Sequence, residues 1–219
     1  MTSPAEKPKS GIRIVLNPIE VVVLLLLPLP FFKLNILYLI FALIIMLTSK
    51  YLRKEKWAEY GFKTINFKIL LVAVFFGIFY GFADNFLLEP AITKLCGAEP
   101  DLSSYEGVKG SVAGLIGMLA LGWFVGGLFE EFFFRGYLFN RISMVIRNPL
   151  LYKIAAISFT SIVFAFAHTY QGIGGIIDTF LFSVILGLFY LWFGRNVWYL
   201  ILIHGFYDTV GIFRLYLGA

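Results

Sequence analysis

Two carboxylates and a guanidinium interrupt an otherwise apolar run at Glu130-Glu131-Phe132-Phe133-Phe134-Arg135. On a helix, Glu131 and Arg135 are four apart and share a face, acid first, which is the favourable order for an ion pair. Glu130 points about 100° away, because an α-helix has 3.6 residues per turn. Arg135 can therefore hold one acid ionised and leave the other free. The two histidines of the chain lie in further apolar runs: His168 follows Phe164-Ala165-Phe166-Ala167, and His204 stands four residues before Asp208, on the same helical face. Ionisable groups inside a bilayer cost of order 2.5–3.5 kcal/mol each on insertion scales, so they face one another or a wet cavity. A single such group has a bland explanation, a side chain snorkelling to the interface or hydrogen-bonding across helices. Three spans carrying Glu-Glu-x-x-x-Arg, His and His-x-x-x-Asp point instead to a shared intramembrane polar site.

Those residue types fit water-driven cleavage of an amide. A carboxylate in an apolar cavity can take a proton from water, with a histidine orienting that water. A second histidine and an Asp can position or donate to the carbonyl oxygen as charge develops there. Glu130, His168, His204 and Asp208 are also competent ligands for a divalent metal such as zinc, although the His-Glu-x-x-His pattern of helical zinc proteases is missing. Proton-coupled transport is the other common use of buried Glu, Arg and His, but the chain shows no internal repeat of the kind transporters carry.

The elements that must position these residues are membrane helices. The 219 residues are 60% hydrophobic and 14% charged, with a mean hydropathy of +0.86, whereas soluble domains carry about 25% charged residues. The fold class is all-α, a polytopic protein of about seven to eight transmembrane helices around the polar site. A net charge of +5 is spread over loops, which argues against a nucleic-acid partner and for a positive-inside topology. The lone Cys96 excludes an intrachain disulfide or a cysteine metal cluster. Residues 1–17 read as a polar cytoplasmic N-terminal tail and 18–219 as a single helical membrane domain. No small-residue cleavage site follows the first apolar run, so that run reads as an uncleaved anchor.

The run Glu20–Thr48, broken by Pro28, Pro30 and Lys33, is long for one span of about 20 residues and short for two. Two short passes turning near Pro28–Lys33 are favoured over one kinked helix. Further spans are expected at Phe67–Leu88, Gly110–Phe129, Leu150–His168, Ile176–Phe193 and Val197–Leu217. Basic segments at Lys50–Lys63, Arg141–Lys153 and Arg195 then fall on the N-terminal, cytoplasmic side, and the acidic loop Glu89–Lys109 on the other. The glycines from Gly110 to Gly127 suit close helix packing. Phe132–Phe134, Phe159 and Phe164 are expected to face lipid or pack between helices. Counted at 1.5 Å per residue, Glu130 and His168 would lie about 30 Å and 27 Å along helices of opposite direction, well apart in depth, unless the Glu130 helix extends towards Arg141.

The motifs resemble those of the CAAX protease and bacteriocin-processing (Abi) family of intramembrane endopeptidases, which includes the Rce1-type prenyl-protein proteases. Glu130, Glu131 and Arg135 match its Glu-Glu-x-x-x-Arg, Phe164 and His168 its Phe-x-x-x-His, and His204 and Asp208 its His-x-x-x-Asn or Asp. The resemblance covers roughly 115–212. It implies that Glu130 is the general base on water with His168 as helper, that His204 and Asp208 form the oxyanion side, and that Glu131 and Arg135 are structural or orienting. Members are described both as metal-dependent and as glutamate proteases, so a divalent metal is a candidate cofactor. One position departs from the Rce1 type, which usually carries Asn where this chain has Asp208; an ionised Asp cannot donate to an oxyanion. The expected protein is a multi-pass endopeptidase of a bacterial or archaeal cell membrane. Its partners would be membrane lipids and membrane-tethered or lipid-modified peptide substrates. The competing reading is a non-catalytic immunity, chaperone or scaffolding protein on the same fold.

Overall fold

Short polar side chains and left-handed glycines mark out the helices. The computed structural model describes residues 11–29 and 37–218, with side chains from residue 17 onward. α1 is Gly11–Leu26, α2 is Leu37–Leu52, α3 is the continuous span Phe67–Cys96 and α4 is Val112–Val145. α5 is Pro149–Ala167, α6 is Gly172–Trp192 and α7 is Val197–Leu217. Four starts are capped by a side-chain oxygen. Asn66 accepts from Ile69 N (3.0 Å), Ser111 from Gly114 N (3.1 Å), Asn148 from Leu150 and Leu151 N (3.0 and 2.9 Å), and Asn196 from Trp198 N (3.2 Å). Each cap satisfies amides that the helix itself leaves open. Pro149 sits in the first turn of α5, where its missing N–H costs nothing. Gly194 and Arg195, both at positive φ (65° and 59°), reverse the chain between α6 and α7.

The described residues contain helices and no strand, as the fold class requires. Five helices, α3 to α7, are long and apolar enough to cross a membrane, against the seven to eight expected; α1 and α2 are shorter apolar helices. The run Glu20–Thr48 is divided between α1 and α2, and α1 begins inside the expected N-terminal tail. The first ten residues of that tail, and the turn at Pro30 and Lys33, lie outside the described residues.

α7 lies along both α3 and α4, α5 packs on α6, and α1 packs on the end of α4. Glycines make the closest of these approaches. A Cβ on Gly77 would meet Ile203 O at 2.6 Å, and one on Gly205 would meet the Trp123 ring at 2.6 Å. Loops pair at each end of the bundle. Val197 N bonds to Gly61 O (2.9 Å) and Lys63 Nζ to Gly194 O (2.6 Å), which places the basic loop with Arg195. At the other end Asp101 N bonds to Gln171 O (2.8 Å) and Gly110 N to Tyr216 O (3.0 Å), beneath the acidic loop.

α4 departs from the expected Gly110–Phe129 in length and winding. It continues to Val145, and from Gly122 to Leu138 it is wound in the wider π form, with i→i+5 bonding. Residues 130–142 are buried without a break. Arg141, expected in a basic loop, is instead fully buried inside this helix. Its guanidinium donates to both oxygens of Glu55 (2.7 and 2.6 Å) and to the hydroxyls of Tyr60 and Tyr137 (3.0 Å each). Glu20 of α1 is 3.4 Å from its Nε and also pairs with Arg53 (2.6 Å). One arginine thus ties α1 and the loop after α2 to α4, and a bidentate, stacked geometry of this kind is one that Lys does not reproduce.

Candidate active site

The π-wound part of α4 delivers adjacent acids into different surroundings. Glu131 is fully buried, and its Oε1 accepts from Arg135 Nη1 (2.8 Å) and from His204 Nδ1 (2.8 Å) across the α4–α7 contact. Arg135, also fully buried, donates through Nη2 to Ser183 O (2.9 Å) and Ser183 Oγ (2.7 Å) on α6, and its guanidinium lies over the Phe164 ring at 5.3 Å. The sequence expectation for this pair holds: Arg135 and Glu131 form an ion pair on one face. Ser183 was not anticipated; a lone serine inside an apolar span gives little signal by itself.

Glu130 is 7% exposed and, among the described residues, has no hydrogen-bond or ion-pair partner. It lies within electrostatic reach of His204, Asp208, Glu131 and Arg135. An unpaired carboxyl in an apolar bundle is costly to keep. It is the group free to act on a ligand.

His204 and Asp208 face each other, with Nε2 3.6 Å from Asp208 Oδ1, too long for a direct hydrogen bond. Because Nδ1 donates to Glu131, Nε2 is the ring position left for a ligand. The Phe182 ring meets His204 edge-on at 4.8 Å and fixes its plane. Gly122 and Gly126 of α4 run beside this pair. A Cβ on Gly126 would stand 2.6 Å from Asp208 Oδ2 and 3.2 Å from His204 Nε2. These glycines were expected only to let helices approach; what they let approach is the polar pair itself.

His168 caps the end of α5, and its Nδ1 donates to the carbonyl of Phe164 (2.8 Å). A carbonyl only accepts, so Nδ1 carries the proton and Nε2 is the acceptor in the neutral ring. The ring packs on Phe164 at 4.6 Å, and Phe164 in turn lies 6.3 Å from His204. Among the described residues no hydrogen bond joins Glu130 to His168. Both are within electrostatic reach of His204, so the depth mismatch counted from the sequence does not keep the motifs apart. The extended, wider-wound α4 resolves it.

The candidate metal ligands Glu130, His168, His204 and Asp208 are not gathered into a ligand set in this structure. Among the described residues no three Glu, Asp, His or Cys side chains converge as ligands would.

Residues 112–210 match one family model, described as type II CAAX prenyl endopeptidase Rce1-like. Over those residues the chain is similar to that family. The match spans a little under half of the chain and contains all three motifs. It bears out the resemblance read from those motifs, and with five span-length helices it marks an integral membrane protein similar to membrane proteases. Searches of curated proteins and of solved structures return no match.

Proposed function

We propose that the chain is an intramembrane endopeptidase that hydrolyses peptide bonds of membrane-tethered or lipid-modified substrates. The observation that carries this is the division of labour between the paired acids: Glu131 is bound to Arg135 and His204, while Glu130 is buried and unpartnered. Glu130 takes a proton from a water that His168 Nε2 helps to hold, and the oxygen of that water adds to the scissile carbonyl. As the imidazolium, His204 keeps its Nδ1–H on Glu131 and donates its Nε2–H towards the oxyanion. Asp208 Oδ1 lies 3.6 Å from the same Nε2 and, as an anion, steadies the positive ring without needing to donate itself, so Asp in place of Asn is compatible with the chemistry. Collapse of the tetrahedral adduct breaks the C–N bond, and Glu130 returns the proton to the leaving amine. No step is routed through a metal.

Wild type and Glu130→Gln in liposomes, given a pool of membrane-anchored peptides with and without prenyl groups, test this reading by mass spectrometry of new termini. New termini from wild type alone are expected, with cleavage unchanged by a chelator and with the melting temperature of Glu130→Gln equal to or above that of wild type. Equal cleavage by both proteins would overturn the role of Glu130. Loss of cleavage on chelation would overturn the metal-free mechanism.

A further inference from the structure

Away from the motif residues, two more acids stand in the apolar bundle, Asp84 buried and Asp178 half-buried. Asp84 belongs to α3, where the residues Asp84–Leu88 form a single widened turn, and Asp178 belongs to α6. Asp84 is 5% exposed. The two carboxyls lie within hydrogen-bond reach of each other, yet the Oδ1 atoms of both are buried and lack a donor. Tyr207 of α7 donates to the remaining oxygen of Asp84, Oδ2, at 2.9 Å. Two ionised carboxylates in contact repel strongly in a medium of low dielectric, and Arg214, the cation in electrostatic reach of Asp84, is itself bonded to Glu89 and Asn85. A single proton between them removes one charge and supplies the missing donor to both orphaned oxygens.

The neighbours are arranged to keep that proton and to use it. Tyr80 of α3 stacks over Phe182 at 5.7 Å and lies 5.5 Å from the Tyr207 ring. Phe182 stacks on Tyr207 at 4.2 Å and meets His204 at 4.8 Å. On the acidic-loop side, Glu89 pairs with Arg214, which also donates to Asn85 Oδ1 at 2.5 Å. Arg214 and Glu89 thus neutralise each other one turn from the acids. Asn85, Glu89, Lys94 and Arg214 line a pocket of about 370 Å³ at that end.

We infer that Asp84 and Asp178 hold one proton between them and, through Tyr207, fix the rotation of α7 that presents His204 and Asp208. They are positioning residues and touch no substrate. The assignment does not depend on the chain being a protease.

Infrared spectroscopy with isotope-labelled aspartate carboxyls reads the proton directly in the purified full chain. Wild type is expected to show one protonated-aspartate carbonyl band. Asp84→Asn and Asp178→Asn should each abolish it, because the Asn amide takes the place of the shared proton, while Asp208→Asn leaves it in place. Tyr207→Phe should keep the band and move it to higher frequency, since one hydrogen bond to the carboxyl is gone. The chain has two histidines, so ring ¹⁵N resonances resolve His204; they should shift in Asp178→Ala and return towards wild type in Asp178→Asn. A wild type without the band, or a band that survives both single Asn variants, would overturn the shared proton. A band that appears only when sodium or calcium is withdrawn would replace the proton by a bound cation. An unmoved band in Tyr207→Phe, or His204 resonances equal in all variants, would overturn the link to α7.

Discussion

Replacing Arg135 by Met removes the cation while filling most of its volume. The structure gives Arg135 three strong contacts to lose: the ion pair to Glu131 at 2.8 Å and two hydrogen bonds to Ser183 at 2.7 and 2.9 Å, all fully buried. What remains is Glu131, ionised and held by His204 alone, with Oε2 already lacking a donor. Breaking a buried pair on one side costs about 3–5 kcal/mol, most of it the uncompensated partner charge. Glu131→Gln in the same chain removes that charge. The double variant should therefore be more stable than Arg135→Met alone by about 2 kcal/mol, within the usual coupling range for residues in contact. The assay is reversible denaturant unfolding in mixed micelles for wild type, both single variants and the double. An Arg135→Met cost below about 1 kcal/mol, or a double variant as unstable as the sum of the singles, would refute the claim that Glu131 depends on Arg135 for its charge.

Three further outcomes follow from other parts of the molecule. Gly126→Ala places a methyl 2.6 Å from Asp208 Oδ2, so cleavage should fall on the order of a hundredfold by displacement of the site, while Gly117→Ala, with open space around it, leaves turnover unchanged. Burial pushes the carboxyl of Glu55 up, but hydrogen bonds from Arg141 and Tyr60 and the charges of Arg141 and Arg53 outweigh it and hold Glu55 below its usual range. Its stabilisation is thus complete above the unfolded value of about 4.3 and is lost as pH falls through the lower folded value; melting temperature should drop more steeply at acid pH in wild type than in Glu55→Gln. If the acidic loop is external, an impermeant maleimide should label the exposed Cys96, at the acidic-loop end of α3, in intact cells, and labelling that needs permeabilisation would reverse the orientation.

The site was more legible than the scaffold. Spacing alone places Glu131 with Arg135 and His204 with Asp208, because four residues is one helical turn whatever the surroundings. Spacing does not say that Glu131 also takes His204, since that contact depends on how α4 meets α7. It does not reveal that α4 runs on past Phe129, because Glu130, Arg135 and Arg141 look like the end of a span when judged by hydropathy. The structure keeps all three inside the bundle, where Ser183, Glu55 and paired tyrosines satisfy the two arginines and Glu130 stays unpaired. The same hydropathy reading passes over Asp84 and Asp178, each a single acid in an otherwise apolar run. Either would have been a functional candidate on the rule applied to Glu130. Of the five aromatics expected to face lipid or pack, Phe132, Phe133, Phe134 and Phe164 pack inside and Phe159 faces outward.

The contrast between neighbours Glu130 and Glu131 is the main argument for the proposed chemistry over a purely structural role. A bundle selected for stability alone would pair both acids or replace one, since an apolar side chain at position 130 would cost less to bury. Here the two donors that reach the acids both serve Glu131: Arg135 Nη1 from the next turn and His204 Nδ1 from α7. The backbone even leaves glycine at position 126, so that Asp208 and His204 come close to α4 without a side chain between them. Pairing is given up at Glu130 while the acid beside it keeps both a cation and a histidine, which is the pattern expected where stability is given up for chemistry.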